Sequence, residues 1–400
     1  MHMCAGRSNR FGLGDSDRQA RVTQKFVQLY GEIPSLWAQA PGRVDLMGSH
    51  TDYNEGFVLT QAIDRNTWIA AAPREDHKIH IASMNTGGGA EIDLDDIQHS
   101  RSSPWADYIS GVAAILKQEG YRLNGFNGLV HSTVPFGSGL SSSAALEVAS
   151  AVLLDHLSNL RLDPVDMAKF CQRAERDFVG MNCGILDQYS SIMGKAGQVL
   201  LLDCRHITSE TRPIAGDLIV VICDTRTQRA LTGSEYQERR AQCEQGAYIL
   251  GQFYPEIKSL RDANLQQFDA HRKDMPAAVA RRCQFIIQEN QRVLDMAEAL
   301  AGPDYDQIGV LTGESYAGAR DLYQISCIEM EKMYEAMTHS AVIGARQAGA
   351  GFGGCMVAFV HKESLDVFIQ DVHEKYFTST GIVPEVYPVA ASSGAGMLAL

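Results

Sequence analysis

Three glycine-rich turns restrict the fold of this chain more than any other feature. The first lies in "GRVDLMGSHTDYNEGFVL", from Gly42 to Leu59. The second is "PFGSGLSSSAALEVA", Pro135 to Ala149, and the third is "GAGFGGCMVAFV", Gly349 to Val360. Glycine lets the backbone turn tightly and lets a ligand approach it closely. Each turn adjoins apolar segments, so strands and helices must be arranged to bring such loops to an exposed edge.

The patterning around the turns supplies those elements. Gln24 to Tyr30 suits a short helix ending near Gly31, and "WAQAPGRVDLMG" suits a strand running into a tight turn at Gly48. "FVLTQAIDRNTWIAAA" is apolar and β-branched enough for strands, and "HKIHIASM" alternates as a strand with one wet face does. Trp105 to Glu119 has helical spacing, stopped by Gly120. "GLVHSTVP" is a strand that delivers the chain into the second turn. From Ser143 a helix begins that is apolar on most faces, as a buried helix is. Another starts at Pro164, a good first helical residue, behind Asp163 as N-cap. After the strand "QVLLLDCR" the apolar pattern pauses in "ITSETRPIAGD". Then come the strand "LIVVICD", a long charged helix from about Ser234, further helices to about Met337, and the third turn with its strand. A chain of 400 residues exceeds what one core usually serves. The pause therefore divides it into domains 1–207 and 208–400. Both mix strands and helices, as α+β or α/β proteins do.

The formal net charge of -13 opposes binding to nucleic acid or an anionic membrane surface. An anionic substrate would need a local concentration of cations or backbone N–H groups. No run is long enough to span a bilayer, and "MHMCAGRSNR" has no signal-peptide core. Nine scattered cysteines without a C-x-x-C pair read as reduced thiols of a cytoplasmic protein. His77 and His80 have no neighbours that complete a metal-ligand set.

The second turn has the makings of a phosphate cradle. A strand enters it, Gly137 and Gly139 shape it, and Ser141, Ser142 and Ser143 lead into a helix. A helix N-terminus presents unpaired N–H groups and about half a positive charge, so it binds phosphate without net basicity. It is not a G-x-x-x-x-G-K-[ST] loop, and taken alone it could be an ordinary flexible turn. The first turn gathers Arg43, Asp45, His50, Asp52 and Tyr53, groups suited to sugar hydroxyls that both donate and accept.

Together the three stretches resemble the signature motifs of the GHMP small-molecule kinases, specifically the galactokinase branch. "GRVDLMGSHTDYNEGFVL" looks like the galactokinase signature, "PFGSGLSSSAA" like the ATP-phosphate loop and "GAGFGGC" like the third motif. "CGILDQYSSIMGKAGQVLLLDCR" and "LTGSEYQERRAQCEQ" match as well, and all five keep their order from about residue 40 to about residue 360. The resemblance implies a two-domain α+β GHMP kinase fold with the active site in the cleft between the domains. It also implies transfer of the ATP γ-phosphate to a sugar's anomeric hydroxyl, with Mg²⁺ as cofactor. The partners implied are the sugar and ATP, and the chain is expected to be monomeric.

Residue by residue, Asp187 matches the family's catalytic aspartate, implied to orient the anomeric hydroxyl and accept its proton. Arg43 matches the arginine implied to pair with it and to stabilise charge on the γ-phosphoryl group. The stretch Gly137, Ser138, Gly139, Leu140, Ser141, Ser142 is implied to hold the phosphates. Ser143 and Glu175 are implied to hold Mg²⁺, although a helix-surface glutamate would read the same. Trp105 matches a tryptophan near the adenine pocket, or is a core tryptophan. For the sugar, His50, Asp52, Gly184, Asp187 and Tyr236 match positions that contact galactose, with Gly351 and its neighbours closing over the sugar-phosphate end.

One position departs from the motif. The family has Gly-Glu-His where this chain has Gly48-Ser49-His50. That glutamate accepts a hydrogen bond from the sugar's 6-hydroxyl, and losing a charge-assisted bond weakens discrimination roughly 10–100-fold. L-Arabinose lacks carbon 6 and galacturonate carries a carboxylate there, so kinases for these sugars are the alternatives. Ser49→Glu is then expected to raise galactose use relative to arabinose. A non-catalytic sugar sensor is the alternative of another class; the intact Ser141–Ala145 segment, Asp187 and Arg43 favour the enzyme. A kinase for mevalonate or homoserine is opposed by "HTDYN" and "SEYQERRAQCE".

Overall fold

The computed structural model describes residues 15–181, 183–227, 234–302 and 304–399. Its first half runs α1 (Asp15–Tyr30), β1 (Leu36–Met47), β2 (Phe57–Pro73), β3 (Lys78–Ser83), β4 (Gly89–Asp93), α2 (Asp107–Gln118), β5 (Phe126–Ser132), α3 (Ser142–Ser158), α4 (Pro164–Arg173), α5 (Leu186–Met193), β6 (Gln198–Asp203) and β7 (Thr208–Pro213). The second half runs β8 (Leu218–Asp224), α6 (Ser234–Phe253), α7 (Leu265–His271), α8 (Ala277–Ala301), α9 (Tyr305–Ala317), α10 (Ile328–Thr338), β9 (Gly344–Gln347), β10 (Cys355–His361), α11 (Leu365–Thr380), β11 (Glu385–Val389) and β12 (Gly396–Met397). Among the described residues no helix is long and apolar enough to cross a membrane.

Two sheets organise these elements. The larger has the order β12-β1-β2-β5-β3-β4, with β6 paired to the start of β2 and β7 to β6. All its pairings are antiparallel except β3 with β5. The smaller, β11-β8-β10-β9, is antiparallel throughout. Helices α2, α3 and α4 bury their apolar faces against the larger sheet. Ala144 to Leu154 of α3 are all buried, as its all-round apolar sequence requires. Residues of β1, β2, β6, β8, β10, α8 and α9 share a separate cluster that joins the two sheets. This joint fixes the position of one half against the other and hence the shape of the cleft between them.

The α+β architecture agrees with the sequence patterning, and several details differ. The first helix begins nine residues ahead of Gln24, at Asp15. "FVLTQAIDRNTWIAAA" forms one long strand, whose start pairs with β6 and whose end pairs with β5. Asp163 caps α4 as expected, its carboxylate accepting from the Val165 N–H at 2.8 Å. Within "ITSETRPIAGD", residues 208–213 form β7, a polar strand at the sheet edge paired to β6 along its length. The 207/208 division thus falls between two hydrogen-bonded strands of the larger sheet. The C-terminal β12 also returns to that sheet, beside β1.

Candidate active site

Between the halves lies a cavity of about 900 Å³. All three glycine-rich turns reach it. β1 carries Arg43 and Asp45 into it, the loop before α3 supplies Gly137 to Ser143 apart from Leu140, and the β9–β10 loop supplies Gly349 and Ala350. Backbone bonds lock the turns to one another. The Arg43 N–H donates to the Leu140 carbonyl at 3.2 Å, and the Cys355 N–H to the Ser138 carbonyl at 3.1 Å. Gly42 is needed for this approach, because a Cβ there would lie 2.6 Å from the Leu140 oxygen. His50 Nε2 lies 3.0 Å from the Ala350 carbonyl. A carbonyl can only accept, so Nε2 carries a proton.

Asp187 opens the first turn of α5, on the cavity wall. Both its oxygens are held. Arg43 donates to Oδ1 from Nε at 2.9 Å and also from Nη2, while Ser141 Oγ donates to Oδ2 at 2.6 Å. The remaining guanidinium nitrogen of Arg43, Nη1, donates to the Gly139 carbonyl at 2.7 Å. One buried arginine therefore ties the acidic group to the loop of the second turn. Asp187 itself stays 26% exposed, open to a ligand in the cavity. Ser141, with φ +59°, precedes α3, and Ser142 and Ser143 begin it. The first-turn N–H groups of a helix lack intrahelical partners, and here they stand at the cavity edge.

Glu175 lies on the cavity wall, 7% exposed, with Ser143 on the same wall close enough to favour its charged form. Gln188 donates to Glu175 at 2.6 Å and, at 2.9 Å, to the fully buried Glu147. Burial, then the charge of Asp187, pushes the Glu175 carboxyl up. A cation beside these groups would relieve that cost. Among the described residues no cluster of three or more His, Cys, Asp or Glu forms a metal cage. A carboxylate and a hydroxyl suit Mg²⁺, which commonly takes one or two protein oxygens with the rest from phosphates and water.

Asp52, Gly184 and Tyr236 form another part of the lining. Tyr236 rests against His50, with ring centroids 5.3 Å apart. His50 Nδ1 accepts from the Tyr53 hydroxyl at 2.8 Å, and Tyr53 is hydrogen-bonded to Tyr323 at 2.7 Å. The half-buried Asp52 sets its carboxyl against Gly184 on the cavity wall. Burial pushes its pKa up to about 6, helped by the charges of Asp187 and Asp45 and opposed by the Tyr53 N–H and Arg43. A Cβ at Gly184 would overlap Asp52 Oδ2. Gly184→Ala is therefore expected to displace the Asp52 carboxylate and raise the KM for the ligand it faces roughly 10–100-fold, with the second substrate's KM unchanged in steady-state kinetics.

The structure thus brings together Arg43, Ser49, His50, Asp52, Gly137, Ser138, Gly139, Ser141, Ser142, Ser143, Glu175, Gly184, Asp187 and Tyr236. It leaves out two. Trp105 is half-buried in a short turn, Pro104–Ala106, and packs against the α2–α3 core; Tyr108 lines the cavity instead. The Leu140 side chain is fully buried in the joint between the sheets, and only its backbone serves the site. Gly351 takes the left-handed conformation of its turn, packed against Ile325. Residues 231–233 of "LTGSEYQ" lie outside the described residues. Sequence reasoning missed Arg226 as a second cavity cation, bound to Glu385 at 3.1 Å. Nothing in its local pattern marks it.

Known proteins resemble this chain in sequence and in fold. The chain matches the galactokinase galactose-binding signature over residues 24–73, the GHMP kinases N-terminal domain over 107–195 and the GHMP kinases C-terminal domain over 296–378. It is 39% identical to a galactokinase of Roseiflexus sp. (strain RS-1) over 376 residues, covering 94% of this chain and 96% of that one. The crystal structure of Lactococcus lactis galactokinase complexed with galactose superimposes with a TM-score of 0.90 at 33% identity, covering 95% of this chain and 99% of that one. The mevalonate kinase of Methanococcus jannaschii shares the fold at a TM-score of 0.63 and 16% identity, covering 89% of this chain and 98% of that one.

Proposed function

Because this chain belongs to the galactokinase family of the GHMP kinases, we propose that it transfers the γ-phosphate of ATP to the anomeric hydroxyl of galactose. The observation that carries this reading is the clamp on Asp187, whose two oxygens are fixed by Arg43 and Ser141 beside an open cavity. A clamped carboxylate has one orientation to offer, so it can align the sugar's C1 hydroxyl and take its proton as the new phosphorus–oxygen bond forms and the bond from the γ-phosphorus to ADP breaks. Arg43 faces the same point and offsets charge on the transferring group, the main task in phosphoryl transfer. The amides of Ser141 to Ser143 and the Ser142 hydroxyl hold the phosphate tail. Ser143 and Glu175 would hold Mg²⁺, which neutralises the β- and γ-phosphate oxygens when bound. Asp52, Gly184, His50 and Tyr236 surround the sugar. We take the domains to be 1–207 and 208–400, with most of the chemistry on the first. Eight described cysteines are free thiols, which suits a cytoplasmic enzyme.

An ADP-release assay with Mg-ATP tests the reading. Galactose is expected to turn over with the highest kcat/KM in a panel with L-arabinose, galacturonate and mevalonate. Sugar binding without ADP release would replace the enzyme with a sensor, and mevalonate turnover alone would replace the substrate class.

Asp52 adds a pH limb. A raised carboxyl pKa means the protonated form predominates below about 6. Protonated Asp52 gains a donor but loses an acceptor that sugar hydroxyls need. The kcat/KM for galactose is therefore expected to fall up to about tenfold per pH unit below that point. A pH profile checks this: Asp52→Asn should lower the plateau and remove this limb.

A further inference from the structure

The replacement of the family's glutamate by Ser49 leaves open what meets the far end of the sugar. Ser49 is 2% exposed and points into a buried polar cluster. Its hydroxyl donates to Asp45 Oδ2 at 2.7 Å and accepts from Arg346 Nη2 at 2.8 Å. Arg346, on β9 and fully buried, also lies 3.6 Å from Asp45 Oδ1 and 3.3 Å from Glu289. Glu289 in turn accepts from Arg292 at 2.8 Å and from Ser315 at 2.8 Å. The cluster holds two guanidinium groups and two carboxylates, so its formal charges balance. A glutamate at position 49 would add a third carboxylate against Asp45, with no cation in the cluster to match it. Ser49 and Asp45 therefore belong together.

Asp45 also lines the cavity, and its buried Oδ1 makes no hydrogen bond, with an Arg346 nitrogen 3.6 Å away. A buried acceptor left unpaired is costly, so such atoms call for a donor. Arg43 and Asp45 stand two residues apart on β1, hence on one face and about 6–7 Å apart. Arg43 and Asp187 mark the carbon-1 end, and Asp45 stands one ring's width farther along the same wall.

We propose that Asp45, held in place by Ser49 and Arg346, is the specificity-determining carboxylate of this chain. Its Oδ1 accepts the hydrogen bond of the hydroxyl on galactose carbon 6. The carboxylate that the family motif places at position 49 is supplied here from position 45. This rests on the galactose reading above and deepens it. It also revises the expectation for Ser49→Glu, which on its own opposes two carboxylates in a closed space and lowers activity on every sugar.

The experiment compares kcat/KM for D-galactose and 6-deoxy-D-galactose. The wild type is expected to prefer D-galactose roughly 10–100-fold, the worth of one charge-assisted hydrogen bond. Asp45→Asn should compress that ratio about tenfold. Ser49→Glu should lose turnover of both sugars, and Asp45→Asn combined with Ser49→Glu should recover both turnover and the preference. Equal use of the two sugars by the wild type overturns the proposal without any variant. An unchanged ratio in Asp45→Asn, or a single Ser49→Glu variant as active as the double, overturns it as well. Absence of turnover on either sugar by the wild type would instead remove the galactose reading itself.

Discussion

Asp187→Asn is expected to lower kcat by about 10²–10⁴-fold while galactose and ATP still bind. The amide is isosteric: its oxygen can accept from Arg43 and its NH2 can donate to a rotated Ser141 hydroxyl, so the clamp keeps its shape. What it loses is the basic oxygen that receives the sugar's proton and the negative charge that balances Arg43. Steady-state kinetics and calorimetric titration of both ligands check the prediction. Turnover within a few-fold of wild type would move the catalytic carboxylate elsewhere, and Asp52 or Glu175 would be the next acidic groups on the wall.

Arg43→Lys, though it preserves charge, is expected to cost about 10²–10³-fold in kcat. Arg43 makes three kinds of bond at once: Nε and Nη2 to Asp187, and Nη1 to the Gly139 carbonyl of the phosphate loop. A lysine ammonium is a single point on a flexible stem and cannot serve both partners from one fixed plane. The loss should appear mainly in kcat, because Asp187 and the loop lose their common anchor while the sugar-facing groups Asp52 and Tyr236 stay in place. A variant whose KM for galactose rises with kcat unchanged would make Arg43 a sugar ligand alone.

Much of this site was legible along the chain because local rules govern it. A strand ending in Gly137–Gly139 and a helix starting at the serines follow from backbone freedom and all-round apolar patterning, and α3 forms there. Asp45 is legible on the same terms, since residues two apart on a strand share a face and Arg43 is the other. The β7 strand was hidden because "TSETRP" has no buried face: it lies at a sheet edge with both sides wet. Trp105 stayed open between two places because nothing in its flanks tells a tryptophan packed on a core from one beside a ligand; it packs on the α2–α3 core. The Arg346–Asp45–Glu289 cluster could not be read at all. Its members lie on β9, β1 and α8, and only the packing of the two halves brings them together.

The most direct test of the central claim is a crystal structure with galactose and an unreactive ATP analogue bound together. The anomeric oxygen is expected within hydrogen-bond distance, about 2.6–3.2 Å, of an Asp187 carboxylate oxygen, with the terminal phosphate against the amides of Ser141 to Ser143. An anomeric oxygen turned away from Asp187, or a triphosphate bound clear of that loop, would contradict it.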